Sequence, residues 1–176
     1  MGYTTEFVGE FDIVGKEYGD LQIASTPVVS ILSKLSIADI RELPRNDKKE
    51  ICINNADGIQ ILCFTPPPYS CYCDWELTED HMHIKWNGTE KFYDYVEWLQ
   101  IIIDKILLPH GLTLSGEVKF QGEDAKDRGI LLIAYNRVIV LKNDCIPKTQ
   151  EEYSEFYEFV NRRFPEVIDE WLDFTR

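Results

Sequence analysis

From Trp86 to Pro109 the chain reads WNGTEKFYDYVEWLQIIIDKILLP, and no other stretch carries so complete a set of helix signals. Asn87 stands three residues before Glu90, the spacing of a capping box, with Thr89 as a rival cap. Beyond it Phe92, Tyr95, Val96, Leu99, Ile102, Ile103 and Ile106 recur at three- and four-residue steps, as on a helix that buries one wide face. Tyr93, Trp98 and Ile101 widen the apolar surface, so the helix is expected to touch protein on more than one side. Pro109 and Gly111 end it, because proline has no amide to donate and glycine suits a left-handed exit.

Around this helix the chain alternates strand patterns with turn residues. Between Tyr3 and Val14, Phe7, Phe11 and Ile13 alternate with Glu6, Glu10 and Asp12 as in a half-buried strand. Gly9 on its apolar side marks a bulge or a close packing contact with an aromatic neighbour. Thr26 and Pro27 open a short helix to Leu35, and Ser36 with Asp39 opens a further turn or two before Pro44.

Hairpins are predicted for Ile51–Ile53 with Ile59–Phe64, for Cys71–Leu77 with His81–Trp86, and for Ile130–Tyr135 with Val138–Leu141. The run Pro66-Pro67-Pro68 between the first two is an extended connector. Thr113–Gln121 adds a strand, Thr149 with Glu152 starts a helix, and Pro165 starts a last one. The expected fold is a single α+β domain over residues 1–176. It comprises an antiparallel twisted sheet of about six to eight strands built from hairpins, one long central helix (about Glu90 to Leu108) packed on it, and two C-terminal helices.

The charge balance narrows function. Lys and Arg total 18 against 31 Asp and Glu, giving a formal charge of −13 and a pI near 4.6. Such a chain is a poor ligand for nucleic acid or anionic membranes, which call for a basic face. Five cysteines are an odd number, and the opening residues read as strand and not as a leader, so a cytoplasmic setting is expected. The longest apolar run is interrupted by Asp104-Lys105, and no membrane span is expected.

Two clusters could carry chemistry. Glu117, Gln121, Glu123, Asp124 and Asp127 could hold a divalent cation or act as acid and base. The spacing does not fit an EF-hand loop, and Lys126 and Arg128 offset the charge, so a solvated turn is the simpler reading. Cys71, Cys73, His81 and His83 supply enough donors for a zinc site, but at a spacing foreign to ribbons and fingers. Buried thiols and solvent-facing histidines are the simpler reading there. Tyr69, Tyr72, Tyr93 and Trp98 are the aromatic residues that could meet a ligand or partner.

Three stretches carry a resemblance. They are Gly2-Tyr3-Thr4-Thr5-Glu6-Phe7 with Gly9-Glu10-Phe11, then Trp86 to Leu99, and then Pro109-His110-Gly111-Leu112 through Gly116-Glu117-Val118-Lys119-Phe120-Gln121-Gly122-Glu123-Asp124 to Asp127 and Gly129. The chain resembles a family of small uncharacterised bacterial and phage proteins with a GYTT-type first strand, a WxGGEKFYxYVEWL helix start and a GEVxWQGEDxxDxG segment. Thr89 replaces a glycine of that pattern, and residues 16–70 look unrelated to it. The resemblance implies a shared α+β fold and no particular activity. A shared site would fall on Glu90, Glu97, Glu117, Gln121, Glu123, Asp124 and Asp127, with Trp98 beside Glu97.

The leading expectation is a non-catalytic acidic interaction protein, of a phage or viral origin that the resemblance suggests, binding a protein partner with a basic surface. It needs no cofactor. The alternative is a small enzyme or ligand-binding domain using the Glu117–Asp127 carboxylates, with a divalent cation.

Overall fold

The protein is described from a computed structural model that covers residues 2–17, 19–134 and 136–142, with Thr149 and Glu151. Its strands are β1 (Thr5–Val8), β2 (Glu10–Gly15), β3 (Ile51–Asn54), β4 (Gln60–Phe64), β5 (Trp75–Leu77), β6 (His83–Trp86), β7 (Leu112–Gly122), β8 (Arg128–Ala134) and β9 (Arg137–Lys142). Helix α1 spans Thr26–Leu35, and α2 starts at Tyr95. Seven strands form one antiparallel sheet in the order β5-β6-β2-β7-β8-β9, with β1 also on β7, while β3 and β4 pair apart as a hairpin.

The long strand β7 is the spine. Its first part pairs with β2 and its last part with β1, so the first two strands share one of its edges. The handover is flanked by two glycines with positive φ, Gly9 (+115°), which packs against Val118, and Gly116 (+110°), which packs against Phe11. A Cβ on Gly9 would meet the Glu117 carbonyl oxygen at 3.3 Å, and both residues hold backbone angles that side chains disfavour. The contact expected for Gly9 therefore exists, but with backbone and not with an aromatic ring.

The architecture expected from the sequence is corrected. The described fold is mostly sheet, with nine strands and two short helical segments, α1 and one of 16 residues. The two C-terminal helices expected at Thr149 and Pro165 lie, apart from Thr149 and Glu151, outside the described residues. No helix runs from Glu90. Gly88, Lys91 and Asp94 all have positive φ, which no helix tolerates at such density. Asn87 Oδ1 accepts from the Thr89 amide at 2.9 Å, so the capping signature serves a local turn instead.

Helix α2 (Tyr95–Ile101) widens over Ile102–Leu107, where the Leu108 amide reaches back five residues to Ile103, and closes in a tight turn at Leu108–His110. The reason is in the core spacing. Trp98, Ile102 and Ile106 form one row and Leu99, Ile103 and Leu107 another, each in steps of four, and all six are fully buried. In an α-helix a four-residue step drifts about 40° around the axis. The wider winding keeps both rows facing the core. Gly111, left-handed at φ +72°, ends the segment as expected.

Elsewhere the three predicted hairpins form, although β5 begins only at Trp75 and Tyr135 is outside the described residues. The α1 helix buries Val28, Ile31, Leu32 and Leu35 and is flanked by Ser25, not Thr26. The second short helix expected from Ser36 is absent. Asp39 instead binds the Arg41 amide and guanidinium, and Ile37 is 82% exposed while Ile40 is buried, so the stretch anchors to the core through a turn. Phe7 centres the main aromatic cluster, with ring centroids 5.2 Å from Trp75, 5.6 Å from Trp86 and 5.0 Å from Tyr95. Trp75 Nε1 donates to the Tyr95 carbonyl at 2.9 Å, so the β5–β6 hairpin is tied to the start of α2.

Candidate functional site

The loop between β7 and β8 holds three of the residues singled out by the sequence, Glu123, Asp124 and Asp127, and it closes on the first residues of the chain. Glu123 Oε1 accepts from the Thr4 amide at 2.7 Å. Tyr3 Oη donates to Asp127 Oδ2 at 2.9 Å and accepts from the Asp124 amide at 3.2 Å. Lys142 on β9 donates to Asp127 Oδ1 and stands 5.3 Å from the centre of the Phe120 ring. Tyr93, just before α2, accepts from the Tyr3 amide at 3.0 Å. The Gly2-Tyr3-Thr4 and Gly122-Glu123-Asp124 stretches, far apart in sequence, are thus two halves of one clasp.

This arrangement uses the carboxylates in folding. The Lys142 ammonium and the Tyr3 hydroxyl hold Asp127 below its ordinary pKa. Asp124 Oδ1 accepts from the Lys126 amide at 2.8 Å, and Gln121 Nε2 donates to the Gly122 and Asp124 carbonyls. Glu117 points outward from β7 and is exposed. Among the described residues no group of three or more His, Cys, Asp or Glu side chains is placed to hold a metal ion.

The remaining site candidates lie elsewhere. Glu90 is exposed on the loop before α2. Trp98, offered as a contact residue, is 0% exposed, 5.9 Å from the Phe64 ring centre, and its indole N–H lacks a hydrogen-bond partner in the described structure. Cys73 is buried, its thiol donating to the Trp75 carbonyl and pushed up to about 12 by burial. His83 Nε2 lies 3.3 Å from Asp12, and its Nδ1 faces Asp80 and Glu10 at 3.4 and 3.8 Å. The histidine therefore turns to carboxylates across β2 and β6.

Glu97 belongs to a different feature. A groove of about 310 Å³ runs between the Pro66-Pro67-Pro68 connector and α2, with Ile101 in its wall and Glu97, Asp104 and Lys105 along the helix side. The connector is fixed by Asp94, whose Oδ2 accepts from the Tyr69 amide at 2.6 Å and the Ser70 amide at 2.8 Å. Tyr69, the residue after Pro68, is 80% exposed.

Sequence reasoning overlooked Tyr3, Asp94 and Lys142. The signal for Tyr3 was present, since GYTT and QGED occur together in the resemblance and here bind each other. Asp94 and Lys142 gave no signal, because each acts on backbone or side chains distant in sequence. Among the described residues no helix is long and apolar enough to cross a membrane. Neither a protein-family model, nor a curated protein, nor a solved structure matches the chain.

Proposed function

We propose that the chain is a non-catalytic interaction protein that binds a basic protein partner, in a cytoplasmic setting, through the groove between the proline connector and α2. One observation carries this reading: the groove has apolar walls and two carboxylates (Glu97 and Asp104) on its helix side, and Tyr69, the residue after Pro68 of its wall, is exposed. An apolar side chain flanked by Lys or Arg fits such a surface, and an exposed tyrosine is the residue type that anchors protein interfaces. Lys105 is the one basic residue in the lining and would face an acidic group of the partner. The overall charge of −13 adds long-range attraction for a cation-rich surface.

The cation-dependent enzyme reading has less support, because Glu123 and Asp127 already accept from Thr4, Tyr3 and Lys142. Calorimetric titration with a Lys- and Arg-rich peptide carrying one central leucine tests the proposal. Affinity is expected to fall steeply with salt, since exposed charges are screened over roughly 10 Å at 0.1 M. The Glu97→Lys/Asp104→Lys variant should bind about tenfold or more weakly, two favourable contacts having become repulsive. Binding that is independent of salt, or unchanged in that variant, would sink the proposal.

A further inference from the structure

Outside both the clasp and the groove, the β3–β4 hairpin sets two cysteines side by side. Cys52 and Cys63 are directly opposed in the register, with sulfur atoms 2.9 Å apart. The Cys52 amide donates to the Pro44 carbonyl at 2.8 Å, away from β4, so the two residues face each other at a pair that exchanges no hydrogen bonds. Such pairs bring Cα atoms to about 4.5 Å and their side chains closest together, inside the span a disulfide accepts. Cys52 is buried at 4% exposure and Cys63 is half-buried, so the Cys63 side of the pair is the more open to a small molecule.

From this geometry we infer that Cys52 and Cys63 are a redox site, a dithiol that closes to a cross-strand disulfide by exchange with a small-molecule disulfide of the oxidised-glutathione class. The Cys63 thiolate attacks one sulfur of the reagent, forms a mixed disulfide and releases the first small thiol. Cys52, held within reach, then loses its proton and attacks the Cys63 sulfur. The new bond joins Cys52 to Cys63 and the second small thiol departs. Two protein thiols are oxidised and one reagent disulfide is reduced to two thiols. The site is independent of the proposed groove, and its test does not rely on a binding partner.

Cys63 is pushed up to about 11, first by its hydrogen bond with Cys52 and then by burial. The thiolate is therefore scarce near neutrality, and the rate should rise about tenfold per unit between roughly pH 7 and pH 9. The experiment treats the reduced full-length protein with excess oxidised glutathione, alkylates the remaining thiols at intervals, and maps the products by peptide mass spectrometry. The expected product is a Cys52–Cys63 crosslink with the predicted pH dependence, together with a raised thermal midpoint that a reductant reverses. In the Cys52→Ser variant a glutathione adduct should persist on Cys63, since its resolving thiol is gone. A wild-type protein that keeps the adduct on Cys63 while Cys52 stays alkylatable, or that leaves both thiols free throughout, would overturn the assignment.

Discussion

Replacing Asp127 by Asn separates a structural clasp from a cation site. The substitution keeps the shape of the side chain but removes the charge that binds Lys142 and strengthens the bond from Tyr3. A charge-assisted hydrogen bond contributes about 1.5–3 kcal/mol when well shielded. Here the Asp127 and Lys142 side chains are 30% and 49% exposed, so solvent screening reduces the expected loss to about 1 kcal/mol. For a domain of this size that corresponds to a thermal midpoint lower by about 2–4 °C.

The pH dependence has a definite sign. Lys142, and after it Tyr3, depress the folded carboxyl below its ordinary 3.8. The contribution is complete above the unfolded value and is lost as pH falls through the folded one. Urea unfolding followed by tryptophan fluorescence should therefore show a constant gap between wild type and Asp127→Asn from about pH 8 to pH 5, narrowing as the pH falls below the ordinary carboxylate range. Equal stability near neutrality, or a gap that persists undiminished in acid, would refute the clasp. So would a midpoint raised by calcium, magnesium, manganese or zinc in the wild type but not in the variant, which would restore the cation reading.

Three further outcomes are expected. Gly116→Ala should cost about 1–2 kcal/mol in chemical denaturation, since it puts a side chain at φ +110° where β7 passes from β2 to β1. Asp94→Ala should accelerate hydrogen exchange at the Tyr69 and Ser70 amides, which lose their common acceptor, and should weaken peptide binding in the groove. Asp74→Asn should stabilise the protein near neutrality, with the gain vanishing in acid. Asp74 is 6% exposed and burial raises its pKa, so the folded state resists its ionisation.

The legible parts of the fold were those written in local chemistry. Alternation found β7 and the stretch that Gly9 divides into β1 and β2, and Asn136, at φ +61°, marks the β8–β9 turn, although Arg137, expected in that turn, already pairs in β9. The helix around which the chain was expected to gather was misread at its start. Asn87 and Glu90 form a capping signature on paper, but the chain between Gly88 and Asp94 turns left-handed three times so that Asp94 can bind the connector. Periodicity showed an apolar face without showing that the helix widens over Ile102–Leu107.

The candidate site was legible as a set of residues and not as a set of roles. Glu123 and Asp127 were singled out as candidates for a cation or for acid–base work, and their hydrogen-bond partners, Thr4, Tyr3 and Lys142, lie in other strands or before them. Trp98 looked like a spare aromatic off the helix face and is a core residue, because β4 covers that side through Phe64. The groove could not be read at all. It exists only where the proline connector is brought against α2.

Backbone amide shifts of the labelled protein, followed while the leucine-centred basic peptide is added, locate the binding face most directly. Shifts confined to Thr65, Tyr69, Glu97, Ile101, Asp104 and Lys105, shrinking as salt is raised, are expected for a partner seated in the groove. Shifts centred on Glu117 to Asp127, or no shifts at any peptide concentration, would contradict it.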